Sequence, residues 1–287
     1  MATYQIITDS ACDLPKAMLE QLDVTCIPLQ VVFRGQTICD SVDEGIREIY
    51  DGLRAGEPTS TSAANPEGWA SVMEPALKAG KDVLVLAFSS GLSTTYQSAV
   101  IAANDLQEAY PQRKIRVVDS LCAALGQGLL LWYACHHRDT GMTLEQLAAW
   151  LEENRLSLCH WVTVNDLMHL KRGGRISATT AVVGTMLQIK PIIHINDEGK
   201  LVNVGKARGR KAAMQVLVDK LKELGEGFDN STVFITHGDC LEDGQLLKEM
   251  VLAQTNTREV FLGNLGVVIG SHAGPGTLAL FFLGKHR

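Results

Sequence analysis

What this 287-residue chain lacks narrows its class before any motif is read. No uninterrupted apolar run approaches the ~20 residues of a membrane-spanning helix, so no stable membrane insertion is expected. The first residues, Met1-Ala2-Thr3-Tyr4-Gln5, have neither the basic start nor the apolar stretch of a secretory signal, and a cytoplasmic location is the expectation. The seven cysteines (Cys12, Cys26, Cys39, Cys122, Cys135, Cys159 and Cys240) are odd in number, dispersed and never spaced as C-x-x-C. That pattern points to reduced, mostly buried thiols and away from a zinc cluster or a disulfide framework. There is no G-x-x-x-x-G-K-[ST] sequence and no kinase-type set of carboxylates and lysine, so no element of the chain is expected to bind ATP. A concentrated basic face is also missing. Lys and Arg number 26 against 32 Asp and Glu, a formal net charge of -6, and the dense basic clusters are confined to 171–175 and 206–211. Such a balance argues against nucleic-acid binding, which needs many phosphate contacts from one surface. No Gly/Ser-rich linker, internal repeat or low-complexity segment interrupts the sequence.

What is present is a globular chain, 46% apolar and 20% charged, long enough for two domains. Gln5-Ile6-Ile7-Thr8 reads as a first strand, followed by turn and cap formers at Asp9 and Ser10 and a helix to about Leu22. A second strand is read over Cys26 to Phe33, with Pro28 marking an edge position or an irregularity. Helical patterns follow at 42–53 and 67–78, then a strand at 83–88, a helix at 97–106, a strand at 115–118 and helical stretches at 120–135 and 143–154. Strands alternating with helices predict a parallel sheet covered on both faces, an α/β fold. Near residue 158 the character changes. Strands are read at 160–164, 190–195, 201–204, 232–236 and 267–270, helices at 211–224 and 241–254, and the turn Asn196-Asp197-Glu198-Gly199 joins a hairpin. The division is therefore placed between residues 1–158 and 159–287.

The richest stretch is the apolar run Val83 to Phe88 leading into Ser89-Ser90-Gly91-Leu92-Ser93-Thr94-Thr95-Tyr96. A buried strand, a hydroxyl-rich turn and a helix start together offer unpaired backbone N–H groups, hydroxyl donors and the positive end of a helix dipole to a carboxylate or phosphate. The same residues also serve an ordinary turn in which Ser93 caps the helix. Thr8-Asp9-Ser10, Ser89-Ser90-Gly91 and Asp119-Ser120 all fall at the carboxyl ends of predicted parallel strands, where ligands of such sheets bind.

Taken in order, Ile7-Thr8-Asp9-Ser10 with Asp13-Leu14, Ser89-Ser90-Gly91-Leu92-Ser93 with Tyr96 and Ser98-Ala99, Arg172-Gly173-Gly174-Arg175-Ile176-Ser177, Lys190-Pro191-Ile192, and Ser271-His272-Ala273-Gly274-Pro275-Gly276 resemble the DegV family over almost the whole chain. The resemblance implies a two-domain DegV-like fold, an N-terminal parallel-sheet α/β domain and a smaller C-terminal α/β domain. It further implies that one long-chain fatty acid is bound between the two domains. In the bacterial fatty acid kinase system, similar proteins present that acid to an ATP-dependent kinase subunit for phosphorylation. No cofactor, metal or catalytic residue is implied.

Carried over residue by residue, Ser93 matches the family's serine on the fatty-acid carboxylate, with Thr94 beside it where the family commonly has glycine. Thr61 and Ser62 match its Thr-Ser pair. His272 matches the histidine of its C-terminal glycine-rich loop, and imidazole is chemically suited to donate to a carboxylate. Arg208 stands where related proteins carry a basic residue that faces the kinase subunit or the acyl-phosphate. The turn at 172–175 reads as structural, with Ser177 capping an apolar helix over 178–187. Val182, Val183, Met186, Leu187 and Ile189 are candidates for the lipid tunnel or, equally, for ordinary core. Burying about 14 methylenes at ~0.8 kcal/mol each gives roughly 11 kcal/mol gross, against ~1.5–3 kcal/mol for each charge-assisted head-group bond. The tail should set affinity and the head group orientation. Two other readings use the same Ser93 loop. One is a hydrolase with Ser93 as nucleophile, helped by His272 and Asp9 or Asp119, although a G-x-S-x-G elbow would need glycine where Thr95 stands. The other is a phosphate-ligand-binding module with a polar, open cleft.

Overall fold

The computed structural model describes residues 4–177 and 188–287. In chain order the first part runs β1 (Tyr4–Asp9), α1 (Lys16–Gln21), β2 (Val24–Ile27), β3 (Gln30–Phe33), β4 (Gln36–Cys39), α2 (Ile46–Arg54), β5 (Thr59–Ser62), α3 (Pro66–Lys78), β6 (Asp82–Ala87), α4 (Thr95–Ala109), β7 (Ile115–Asp119), α5 (Leu125–Asp139) and α6 (Leu144–Asn154). The second continues β8 (Leu158–Thr163), α7 (Met168–Arg172), β9 (Ile189–Ile195), β10 (Leu201–Arg208), α8 (Arg210–Leu224), β11 (Thr232–His237), α9 (Leu241–Gln254), β12 (Glu259–Asn264), α10 (Val267–Ala273) and β13 (Leu278–Leu283).

The parallel sheet expected for the first part is there, in the order β2-β1-β6-β7. Its central strands are apolar at successive positions because both faces are covered. Ile6 and Ile7, like Leu84 and Val85, are fully buried although neighbours in sequence point to opposite sides. Each such side chain contributes ~1.5–3 kcal/mol of burial. Helix starts are encoded locally. The Asn65 side chain accepts the Gly68 N–H at 2.8 Å ahead of α3, and Thr143 and Gln146 form a reciprocal cap on α6.

The second part is built on a mixed sheet of six strands in the order β10-β9-β8-β13-β11-β12, in which only the β11–β12 pair is parallel. Helices α8 and α9 cover one face through Met214, Leu217 and Leu247. The other face turns inward, where Phe234 and Phe281 join one core with Leu125 and Leu129 of α5. The two sheets therefore share a buried seam.

Three sequence expectations need correction. The single strand over 26–33 is two strands in different sheets. Pro28, which cannot donate to a ladder, sits at the break, and β3 pairs instead with β4 and β5 in a small antiparallel sheet. Thr59-Ser60-Thr61-Ser62, read above as no strand, is the edge strand of that small sheet. The strand read at 267–270 is helix α10, and so His272 lies in a helical turn ahead of the glycine-rich loop. A β-branched run between glycines resembles a buried strand, but here the Asp40 carboxylate accepts the Val268 N–H at 3.0 Å and satisfies the helix start from the other half of the chain. Strands β12 and β13 were not foreseen. All seven cysteines are free, four of them buried. Among the described residues no helix is long and apolar enough to cross a membrane, and no group of three or more His, Cys, Asp or Glu is arranged to hold a metal ion.

Candidate functional site

The two sheets leave a cavity at their seam, about 80 Å³ measured as the space open to the centre of a water molecule. Its body is apolar: Leu29, Phe88 and Leu92 face it from the first part, and Val162, Ile193 and Phe281 from the mixed sheet. Among its polar wall residues are side chains from three chain segments.

The first segment is the loop between β6 and α4. Backbone N–H groups of Leu92 and Ser93 both reach the Ser89 carbonyl at 3.1 Å, closing a tight turn. Ser93 lines the cavity, and its Oγ accepts the Thr95 N–H at 3.2 Å while standing 2.8 Å from Thr95 Oγ1. The second segment is β5, which brings Thr61 and the exposed Ser62 to the wall. The third is α10, whose His272 Nε2 lies 2.8 Å from Thr61 Oγ1. Burial, helped by the nearby Arg175 charge, pushes the His272 pKa down to about 4, so the ring is neutral at pH 7 and can give one N–H while accepting at the other nitrogen. Gly173 packs so tightly on this imidazole that a Cβ there would clash with it.

Arg175 is the Lys or Arg on the described wall. Its Nε donates to the Leu92 carbonyl at 3.2 Å and its guanidinium to the Gly173 carbonyl at 2.5 Å. The sequence reading gave the 172–175 turn a structural part only. The half-buried arginine directly after the tight glycine pair was the available signal. His272 also faces outward, because it helps line a surface groove with Thr59, His169, Arg172 and Ser271.

Other expected residues fall elsewhere. Thr94 is exposed and outside the cavity wall, because α4 starts at Thr95 and turns the preceding side chain to solvent. Arg208 is exposed at the end of β10, opposite Ile189 in the ladder, and away from the wall. Ile189 is half-buried and not part of the wall either, while Val182, Val183, Met186, Leu187 and the helix read at 178–187 lie outside the described residues. No catalytic triad forms around Ser93. His272 bonds Thr61. Asp9 accepts the N–H groups of Ala11 and Phe88 at 3.1 and 2.7 Å, and Asp119 those of Ser90 and Leu121 at 3.1 and 3.0 Å. Both carboxylates brace the strand-end turns. The wall can thus accept a narrow apolar body ending in an acidic group, with hydroxyl and imidazole donors and one cation around that group.

The family model described as an uncharacterised protein of the DegV family matches residues 3–285. A DegV domain-containing protein of Clostridium perfringens is 42% identical over 289 residues, covering 100% of this chain and 99% of its own. Among solved structures, one described as showing fatty acid binding by a DegV family protein from Thermus thermophilus superposes with a TM-score of 0.88 at 33% identity, covering 98% of this chain and 99% of that one. A stearic acid-binding protein from Eubacterium ventriosum gives a TM-score of 0.86 at 28% identity, covering 98% of each.

Proposed function

The chain belongs to the DegV family, and from that premise we propose that it is a non-catalytic carrier that binds one long-chain fatty acid at the seam of the two sheets. The observation that carries this reading is the cavity itself: a largely apolar space whose wall includes Ser93, Thr61 and His272, the last two in hydrogen-bond contact. The acyl chain occupies the cavity, and the carboxylate takes hydrogen bonds from those three side chains, with Ser62 beside them and Arg175 supplying the counter-charge. The similar Thermus and Eubacterium proteins, described as fatty-acid-binding, support it.

The acid is then handed on. His272 faces both the cavity and the outer groove, so a carboxylate held by it lies within reach of a partner docked there. The partner in this reading is an ATP-dependent fatty acid kinase subunit that phosphorylates the exposed carboxylate in the cytoplasm, with Arg208 on the docking side. The division of labour between residues 1–158 and 159–287 follows: the first carries two of the head-group loops, and the second closes the acyl site with its sheet and α10.

Denaturing freshly purified protein and analysing the organic extract by mass spectrometry tests the reading. One fatty acid per chain is the expected yield. No extracted lipid, together with no saturable heat on adding palmitate or oleate, would overturn it.

A further inference from the structure

Three carboxyl groups lie buried near one another at the seam: Asp9 at the end of β1, Asp13 in the turn that follows, and Asp40 directly after β4, all at 7% exposure or less. Two of them are engaged as acceptors. Asp9 takes the Ala11 and Phe88 N–H groups, and Asp40 takes the Ser10 hydroxyl at 2.8 Å and the Val268 N–H at 3.0 Å. Asp13 is the exception. Neither of its side-chain oxygens has a hydrogen-bond partner, and the Gly266 N–H approaches without completing a bond. A Cβ added to Gly266 would stand 2.4 Å from Asp13 Oδ1 and 3.2 Å from Asp40 Oδ1, so both carboxyls face the backbone at which α10 begins. Other bonds between the two parts crowd the same place. The Tyr50 hydroxyl donates to the Leu265 carbonyl at 3.0 Å, and the Asn264 amide to the Val42 carbonyl at 3.0 Å.

No positive charge balances the three. Among the described residues none of them forms an ion pair with Lys, Arg or His, and Lys16, which lines the same outer groove as Asp40, pairs with Glu20 at 3.9 Å in solvent. The titratable groups facing Asp13 are Asp9, Cys12, Asp40 and Tyr50; α10 presents the Gly266 backbone, and α5 presents the neutral Gln127 to Asp9. A buried carboxyl with no donor and two acidic neighbours favours its neutral form. Burial first, and the Asp40 charge second, hold the Asp13 carboxyl well above the ordinary carboxylate range, while Asp40 is pushed up to about 6.

We propose that Asp13 keeps its proton and serves as a latch on the seam: while it is neutral α10 stays seated against the first part, and loss of the proton sets a second charge beside Asp40, loosens α10 together with His272, and releases the fatty acid. The release step rests on the fatty-acid reading above and adds proton control to it.

The test compares the full-length chain with Asp13→Asn, which keeps the size of the neutral acid and cannot ionise. In the unfolded chain Asp13 has an ordinary pKa near 3.9 and has given up its proton throughout the range from pH 5 upward. Urea unfolding should therefore show the folding constant of the unaltered chain falling about tenfold relative to the variant for each pH unit, until the folded carboxyl itself ionises. Asp13→Ser, equally uncharged, should repeat that slope and replaces Asp13→Asn if the latter does not fold. Palmitate affinity of the delipidated unaltered chain should fall relative to the variant by about tenfold or more between pH 6 and 9. A constant ratio of folding constants overturns the protonated Asp13. A sloping ratio with a constant ratio of palmitate affinities overturns the latch. If palmitate binds neither chain at any pH the carrier reading falls, and the unfolding ratios still decide the proton.

Discussion

The Thr61 hydroxyl and the His272 Nε2 are 2.8 Å apart although 211 positions separate them, and the pair joins the small antiparallel sheet of the first part to helix α10 of the second. The two groups satisfy one another. In the proposed reading, a carboxylate arriving at His272 replaces part of that bond with charge-assisted ones, which are about twice as strong.

Replacing His272 should accordingly weaken binding without altering which chain length is preferred. His272→Ala removes a hydrogen bond to a charged group, about 1.5–3 kcal/mol, so the Kd for palmitate rises roughly 10- to 100-fold. Thr61→Val should fall toward the lower end of that range. Titration calorimetry on delipidated protein measures both, and an unchanged Kd in His272→Ala would remove that residue from the head-group site.

The same histidine makes stability depend on pH. Its folded pKa, pushed down to about 4, lies below its unfolded value near 6.5, so between those limits the unfolded chain holds the extra proton. Its contribution is therefore fully present above about pH 6.5 and is lost as pH falls toward 4, up to roughly 3 kcal/mol in all. Asp9 acts in the opposite sense. Burial raises its carboxyl to about 7 against the Phe88, Gln127 and Ala11 donors that lower it, so its contribution is lost as pH rises through neutrality. The difference between the unaltered chain and His272→Gln isolates the histidine: urea unfolding at a series of pH values should show the unaltered chain losing ground to the variant from pH 6.5 to 4. Parallel curves would contradict the assigned direction.

How far the sequence disclosed this arrangement depended on whether a signal was local. The strand–turn–helix from Asp82 to Ala109 and the hairpin around Asn196 to Gly199 follow from apolar runs ending in hydroxyl- or glycine-rich turns, and both are found nearly where they were read. Ser93, Thr61 and His272 were singled out through family motifs, but the contact of Thr61 with His272 was not legible, since no periodicity links β5 to α10. Helix α10 was misread because the group that completes its first turn, Asp40, is 228 residues away. Strand β13 was missed despite an unbroken apolar run, Leu278-Ala279-Leu280-Phe281-Phe282-Leu283, directly after a Gly-Pro-Gly turn, which was a sufficient local signal. The cavity could not be read at all, because its wall alternates between strands whose order in the sheet only the tertiary pairing reveals.

Thr94 gives a prediction of the opposite kind. Its side chain is exposed, outside the wall and makes no capping bond to α4. Thr94→Ala should leave palmitate affinity within about twofold and unfolding free energy within roughly 0.5 kcal/mol, as for surface positions without special contacts. A loss comparable to that of His272→Ala would mean that the loop rearranges to bring residue 94 onto the ligand.

Gly91 sits where the loop carrying Ser93 meets the turn between β9 and β10. A Cβ added there would stand 2.5 Å from the Glu198 carbonyl oxygen and 2.8 Å from Gly199 backbone atoms, and Ser89 Oγ donates to the Gly199 carbonyl at 2.8 Å beside it. Backbone on both sides leaves no flexible side chain to move away, so Gly91→Ala must push the turn off the loop. The expected cost is about 1–3 kcal/mol, as for overpacking elsewhere, seen as a lowered Tm. Because that turn ends β9, whose Ile193 and Ile195 line the cavity, palmitate binding should weaken in parallel. Gly205→Ala is the control: its nearest neighbour would be the Ile192 Cβ at 3.8 Å, an ordinary contact, and both stability and binding should hold. If Gly91→Ala lowered Tm but left affinity untouched, the loop and the sheet would be coupled in folding and independent in binding, and the seam would not be what positions Ser93.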